Sequence, residues 1–362
     1  MKIALCGRFN TEKKHQGGSA EVFLTLAKGL SKRNEVTLFG RGKPTYEIKN
    51  MCKANNIKYY YIPSDKIINI ILGPLRALIL MRKYWDNFDI VHTHTGSFAF
   101  ASIFFKKKSK IITHIHEGLI LKDNTLIVKF YLNLENFLLR LACNNSKLVI
   151  TVGEYMKSLI KQKWKINKVK SIPNGADLKL FKFKKNNKVT DLFGKNNFKL
   201  LYVGRLTKRK GILELIDSFN YLRNKKLTLL IVGDGELYSE VEKRLPGQCK
   251  LIRYVNNKDL PDYYSAADLV IVPSHYEPGS LVPRESLACG TPILVSNNTG
   301  LREIKIAYFI KELNARGIAD SIKEFSNKKL ISRKTCRDYA EKNYDWESII
   351  NKYEGEYKKL IK

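Results

Sequence analysis

Acidic side chains are scarce: 34 Asp and Glu stand against 65 Lys and Arg in 362 residues, a formal charge of +31. Such a surface draws polyanions, whether nucleic acid, anionic lipid headgroups or phosphorylated small molecules. A genome biased toward Lys, Asn and Ile codons would account for the same figure, so charge alone assigns no partner. Cysteines are few and scattered, at positions 6, 52, 143, 249, 289 and 336, with no C-x-x-C. That excludes a dense disulfide framework and fits buried thiols in a reducing compartment. No apolar run reaches the length of a membrane span, and the first seven residues are too short for a signal peptide. The expected location is the cytoplasm, or the cytoplasmic face of a membrane as a peripheral protein. G-x-G-x-x-G, H-E-x-x-H and Asp-x-Asp are all missing, so neither a nicotinamide cofactor nor metal-assisted diphosphate chemistry is indicated. Helix-turn-helix, zinc-finger and aromatic-basic RNA patterns are missing too, and no nucleic-acid partner is expected.

What the chain has is a regular alternation. Strand patterns fall at residues 2–7, 35–40, 57–62, 89–94, 110–116 and 147–152, with helical periodicity between most of them. A Lys- and Asn-rich stretch at 179–197, short of apolar periodicity, marks a junction. A second series follows at 200–203, 227–232, 251–255, 269–272, 293–295 and 307–310. The fold class is therefore α/β: two Rossmann-like, doubly wound parallel-sheet domains with the natural ligand site in the cleft between them. Residues 1–178 would form the first and 198–338 the second. The tail from 339 to 362, with Trp346, Ile349, Ile350, Tyr353 and Tyr357 at helical spacing, reads as an amphipathic helix whose apolar face needs a surface to cover.

The chain is organised around residues 274–292, a strand-loop-helix-strand unit. Pro283 suits the first turn of a short helix, and Gly290 with Pro292 stops it. Glu277 then lies in the loop at a strand's carboxyl end and Glu285 in the opening turns of the helix. Two carboxylates beside free helix N–H groups suit a polyhydroxylated ligand that carries an anion, such as a sugar nucleotide. Taken alone, the pair also reads as ordinary acids favouring a helix start. Arg205 and Lys210 flank the turn after the first strand of the second series, where two cations and helix amides stabilise a departing nucleoside diphosphate without a metal; a solvated basic loop is the plainer reading. Gly17 and Gly18 follow the first strand and open a helix, letting backbone amides approach a ligand closely. His92 and His94, then His114 and His116, sit at period two at the ends of two strands. Each pair shares a face. A four-imidazole metal site and a polar or core stack are both open, and no metal is expected.

Together these residues resemble glycosyltransferase family 4, the retaining nucleotide-sugar transferases of the GT-B fold. The resemblance runs through Gly17-Gly18, Thr113-His114-Ile115-His116-Glu117, Ile172-Pro173-Asn174-Gly175-Ala176-Asp177, Gly204-Arg205 to Lys210-Gly211, Val232-Gly233-Asp234-Gly235, residues 260–268, and Glu277 to Glu285 followed by Leu-Ala-Cys-Gly-Thr-Pro. It implies hexosyl transfer from a UDP- or GDP-sugar to an acceptor hydroxyl with retention and with no metal or other cofactor. It assigns Glu285 to the donor ribose, Glu277 to the donor sugar and α-phosphate, and Arg205 and Lys210 to the diphosphate. The amides of Gly279, Ser280, Leu281 and Val282 would touch the donor, Gly17 and Gly18 would close on it, and His116 would be the active-site histidine. The tail helix with Trp346 would cross back to the first domain. Where the family has an aromatic residue and then Gly, this chain has Gly279 and Ser280, which bears on donor-sugar identity and on whether the protein turns over at all. The expected acceptor is a glycan or a lipid-linked species, because residues 66–85 and 98–108 join apolar runs to basic clusters. An anionic membrane surface is a candidate partner.

Overall fold

The computed structural model describes the chain except residues 10–17, 64–67, 85–87, 95, 106–109, 117–125, 195, 223–225 and 298–299; the side chains of 68–71, 126–132 and 135 are likewise outside the description. Chain contacts divide it into two units, Met1–Pro173 with Glu347–Lys362, and Asn174–Trp346.

In the first unit the order is β1 (Lys2–Arg8), α1 (Gly18–Ser31), β2 (Glu35–Arg41), α2 (Tyr46–Ala54), β3 (Lys58–Ile62), α3 (Ile68–Tyr84), β4 (Ile90–Thr93), α4 (Gly96–Ser102), β5 (Lys110–Ile115), α5 (Leu126–Asn145), β6 (Leu148–Thr151), α6 (Glu154–Trp164) and β7 (Val169–Ser171). The strands form one parallel sheet in the order β3-β2-β1-β4-β5-β6-β7. The sequence pattern found every strand but β7. That edge strand has only three residues, with a charged Lys170 in the middle, and leaves no alternation to read. Helix α1 exists because Val22, Phe23, Leu26, Ala27 and Leu30 fall on one buried face, with Glu21 in the first turn and Lys28 in the last opposing the helix dipole favourably.

The second unit runs α7 (Asn187–Asp191), β8 (Phe198–Val203), α8 (Ile212–Ser218), β9 (Leu227–Val232), α9 (Tyr238–Lys243), β10 (Cys249–Ile252), α10 (Leu260–Ala266), β11 (Leu269–Val272), α11 (Val282–Ala288), β12 (Ile293–Ser296), β13 (Tyr308–Ile310), α12 (Ala315–Ser326) and α13 (Arg333–Tyr344). Its parallel sheet has the order β10-β9-β8-β11-β12-β13. Alternate residues of each strand enter opposite cores: Leu230, Val270 and Ile293 one, and Leu229, Ile231, Leu269 and Leu294 the other. Both faces are covered, which is why these strands read as continuous apolar runs.

Two expectations are corrected here. Residues 179–197 are not a bare junction: Phe181 and Phe193 are buried in the second unit's core, and Arg337 ties Phe181 down by donating to its carbonyl at 2.8 Å. Lysine density hides these two anchors in the sequence. Nor is the tail one helix from 339. Helix α13 ends at Tyr344, Asp345 turns to an extended conformation, and α14 (Trp346–Ile361) begins anew. Residues 339–346 therefore belong with the second unit. Trp346 packs there against Gly175, where a Cβ would come within 2.6 Å of the indole. From Glu347 onward α14 belongs to the first unit, burying Ile349, Ile350, Tyr353 and Tyr357.

Candidate functional site

In each sheet the strand order reverses once. Chain order leaves β8 through β9 to β10, then returns to the other side of β8 with β11; in the first unit β1 and β4 flank the same reversal. Loops at the carboxyl ends of such neighbouring strands are where open α/β sheets bind ligands.

At the second unit's reversal, the turn after β8 and the loop after β11 are joined by several bonds. The His275 amide donates to the Arg209 carbonyl at 2.9 Å, and Arg209 Nη1 donates to the Tyr276 carbonyl at 2.9 Å. Gly211 closes the turn with φ +65°, and a Cβ there would sit 1.9 Å from the Pro273 carbonyl oxygen. Only glycine meets both demands. This junction places Lys210 against Glu277: the ammonium and Oε2 form an ion pair, with side chains 15% and 5% exposed. Ser274 Oγ adds a longer bond to the same oxygen, 3.4 Å. The backbone of Glu277 is fixed separately, its carbonyl accepting from the Gly300 amide at 3.1 Å.

Glu285 lies in the first turn of α11, which has Pro283 in that turn and is followed by Gly290, φ +80°. It is 9% exposed, and its Oε2 accepts from the Tyr264 hydroxyl at 2.8 Å. Burial first, and the Glu285 carboxylate second, push the Tyr264 phenol well above its ordinary pKa, so it stays a donor. Arg205 is exposed on the same turn as Lys210, and its carbonyl accepts from the buried Tyr202 hydroxyl at 2.9 Å. Gly279 and Ser280 lie in the loop before α11, where Asn174 Nδ2 donates to the Gly279 carbonyl at 2.7 Å and the Arg284 guanidinium donates to the Ser280 carbonyl. Leu281 and Val282 start the helix, both half-buried.

The structure thus joins Lys210 directly to Glu277, holds Glu285 through Tyr264, and keeps Arg205 on the turn without contact to either acid among the described bonds. Sequence reading gave no role to Arg209, Tyr264, Asn174 or Arg284, although each falls within a stretch it singled out. Arg284 carried a further local signal, a charge two residues inside the buried helix start.

At the first unit's reversal, Gly18 begins α1 and Gly17 lies outside the described residues. The register of β4 on β5 pairs His92 with Ile112 and Thr93 with Thr113, which carries His94 beside His114 on one face. The four imidazoles do come together. His94 Nδ1 and His116 Nε2 are 2.8 Å apart, and ring centroids separate by 4.0 Å for His114 and His116 and 5.3 Å for His92 and His114. Helix α14 caps the group, with Tyr357 OH 2.6 Å from His92 Nδ1. Burial, then the neighbouring His116, lowers the His92 pKa to about 3; burial lowers His116 to about 4; His94 and His114 fall well below the usual value. All four rings are neutral near pH 7.

Two Rossmann-like units, each with polar side chains gathered at its sheet reversal, define a protein of the GT-B class. The family models agree: Glycosyltransferase Family 4 matches residues 16–180 and Glycosyl transferases group 1 matches residues 183–346. The chain belongs to the GT-B glycosyltransferases. It is 28% identical to an uncharacterized glycosyltransferase of Methanocaldococcus jannaschii, covering 99% of this chain and 98% of that one. Among solved structures it resembles the sucrose-phosphate synthase of Thermosynechococcus elongatus, with TM-score 0.80 and 19% identity over 99% of this chain and 98% of that one. It also resembles Anabaena Alr3699/HepE in complex with UDP, with TM-score 0.77 and 19% identity over 99% of this chain and all of that one. These structural likenesses, at such identity, speak for the fold.

Proposed function

We propose that the protein moves a hexosyl group from a UDP- or GDP-sugar to a hydroxyl of a glycan or lipid-linked acceptor, with retention at the anomeric carbon. The observation that carries this reading is the buried Glu277 paired with Lys210 at the second unit's sheet reversal. The Glu277 carboxylate accepts hydrogen bonds from hydroxyls of the donor sugar, while Lys210 and Arg205 meet the diphosphate. Glu285, oriented by Tyr264, accepts from the ribose hydroxyls. The backbone of Gly279, Ser280, Leu281 and Val282 lies against the donor. On the first unit, Gly18 would lie against the donor phosphates, and the neutral His116 would bond the acceptor hydroxyl.

In the reaction the bond from the anomeric carbon to the diphosphate oxygen breaks, and a bond to the acceptor oxygen forms on the same face. The acceptor proton passes to the departing phosphate. Fixed cations stabilise the charge that develops on the leaving group, so no metal is required of this step.

The acceptor reading is supported by α3 and α5. On α3, Leu72, Leu75 and Ile79 are exposed at i, i+3 and i+7, with Arg82 and Lys83 exposed at the helix end; on α5, Leu134, Phe137 and Leu141 repeat the spacing. An apolar stripe ending in cations suits an anionic lipid surface. The cluster at 106–108 lies outside the described residues. No helix among the described residues is long and apolar enough to cross a membrane.

The test is a panel of UDP- and GDP-sugars with glycan and lipid-linked acceptors, following released nucleoside diphosphate and product anomer. Release that depends on acceptor, gives a retained anomer and disappears in Glu277→Ala supports the proposal. Tight binding of a nucleotide sugar with no turnover on any acceptor would instead make this a donor-binding protein.

A further inference from the structure

The four histidines at the first unit's reversal exceed what the proposed transfer needs, since only His116 has a part in it. Among the described residues, four of their buried ring nitrogens lack a hydrogen-bond partner: Nε2 of His92, Nε2 of His94, and both nitrogens of His114. The pattern is not random. His92 and His94 each have Nδ1 occupied, by Tyr357 OH and by His116 Nε2 respectively, and Nε2 bare. A histidine that ligates a metal through one nitrogen commonly donates its other N–H to a protein acceptor, which fixes the tautomer and aims the lone pair.

We propose that His92, His94 and His114 bind a divalent transition ion of borderline softness, zinc being the best match to three neutral imidazoles. One ring nitrogen from each of the three lies within 4.8 Å of the other two. Tetrahedral bonds of about 2.0–2.1 Å place ligands about 3.4 Å apart, so each ring moves inward by about 0.8 Å at most. The His92 and His114 planes differ by only 17°, so one ring must also rotate for both lone pairs to converge. His114 is the ring to turn, since no hydrogen bond holds either of its nitrogens. Uncharged rings are the form that ligates. The ion joins β4 to β5 and, through the His92–Tyr357 bond, anchors α14. It plays no part in the diphosphate chemistry and stands or falls separately from the transfer reaction.

The test uses tag-free full-length protein, stripped with chelator and titrated with Co²⁺, with bound metal measured also by elemental analysis after zinc loading. The expected result is one equivalent per chain, visible d–d bands of a four-coordinate site, and a higher melting temperature that chelator reverses. His275→Ala leaves the metal content unchanged, His114→Ala abolishes the bands, and Tyr357→Phe weakens binding by about 10–100-fold. Substoichiometric metal in the wild type, or bands that persist in a folded His114→Ala protein, would overturn the assignment. The wild-type stoichiometry decides even if a variant fails to fold.

Discussion

Replacing Lys210 by Met, Glu277 by Gln, and both together isolates the pair on which the donor site rests. The two ends differ in burial: the Glu277 side chain is 5% exposed and that of Lys210 15%. Removing Lys210 strands a carboxylate that cannot reach water, and uncompensated buried charges of this kind cost about 3–5 kcal/mol. The lower end, about 3 kcal/mol, applies because Ser274 still bonds the same oxygen. Glu277→Gln leaves a cation that is 15% exposed on a long flexible stem, which re-solvates for about 1 kcal/mol. The double variant lacks both charges and should fall within about 1.5 kcal/mol of wild type, for a coupling of roughly 2–3 kcal/mol. Calorimetry, which separates the transitions of two units, should show Lys210→Met lowering the second unit's melting point by about 6–12 °C, with much of the loss recovered in the double variant. Single effects that add within about 0.5 kcal/mol would refute the pairing.

Three further outcomes are expected. Gly211→Ala should destabilise the second unit by at least about 2 kcal/mol, from left-handed backbone and collision with the Pro273 carbonyl, whereas Gly247→Ala, with nothing within 4 Å of the new carbon, should stay within about 0.5 kcal/mol in the same melting assay. All six cysteines are buried free thiols, burial pushing Cys143, Cys249, Cys289 and Cys336 up to about 12 and Cys52 to about 11. A chromogenic disulfide reagent at pH 8 should therefore find almost none in the native protein and six after denaturation. Burial opposes ionisation of Glu356, but hydrogen bonds from Lys170 and Lys359 outweigh it and hold the carboxyl below its usual pKa. Its stabilisation is present above the unfolded carboxylate value and lost as pH falls through the folded one. Glu356→Gln should cost about 0.5 kcal/mol at pH 7 and nothing once the carboxyl is protonated, as seen in urea unfolding at several pH values.

Much of this was legible because it is local. Strands covered on both faces announce themselves as apolar runs, and the start and stop of α11 are written in Pro283 and Gly290. What escaped depends on contacts distant in sequence. Tyr264 meets Glu285 across 21 residues, and Tyr357 meets His92 across 265. No window on the chain joins such partners. Phe181 and Phe193 were concealed by the lysines around them, and the histidine stack required the β4–β5 register before period two became convergence.

Backbone hydrogen exchange, with and without a saturating nucleoside diphosphate, tests the central claim most directly. The account predicts protection concentrated in residues 204–211 and 274–288, diminished in Lys210→Met and in Glu285→Gln. Protection spread over lysine-rich surface elsewhere, or no change at saturation, would contradict it.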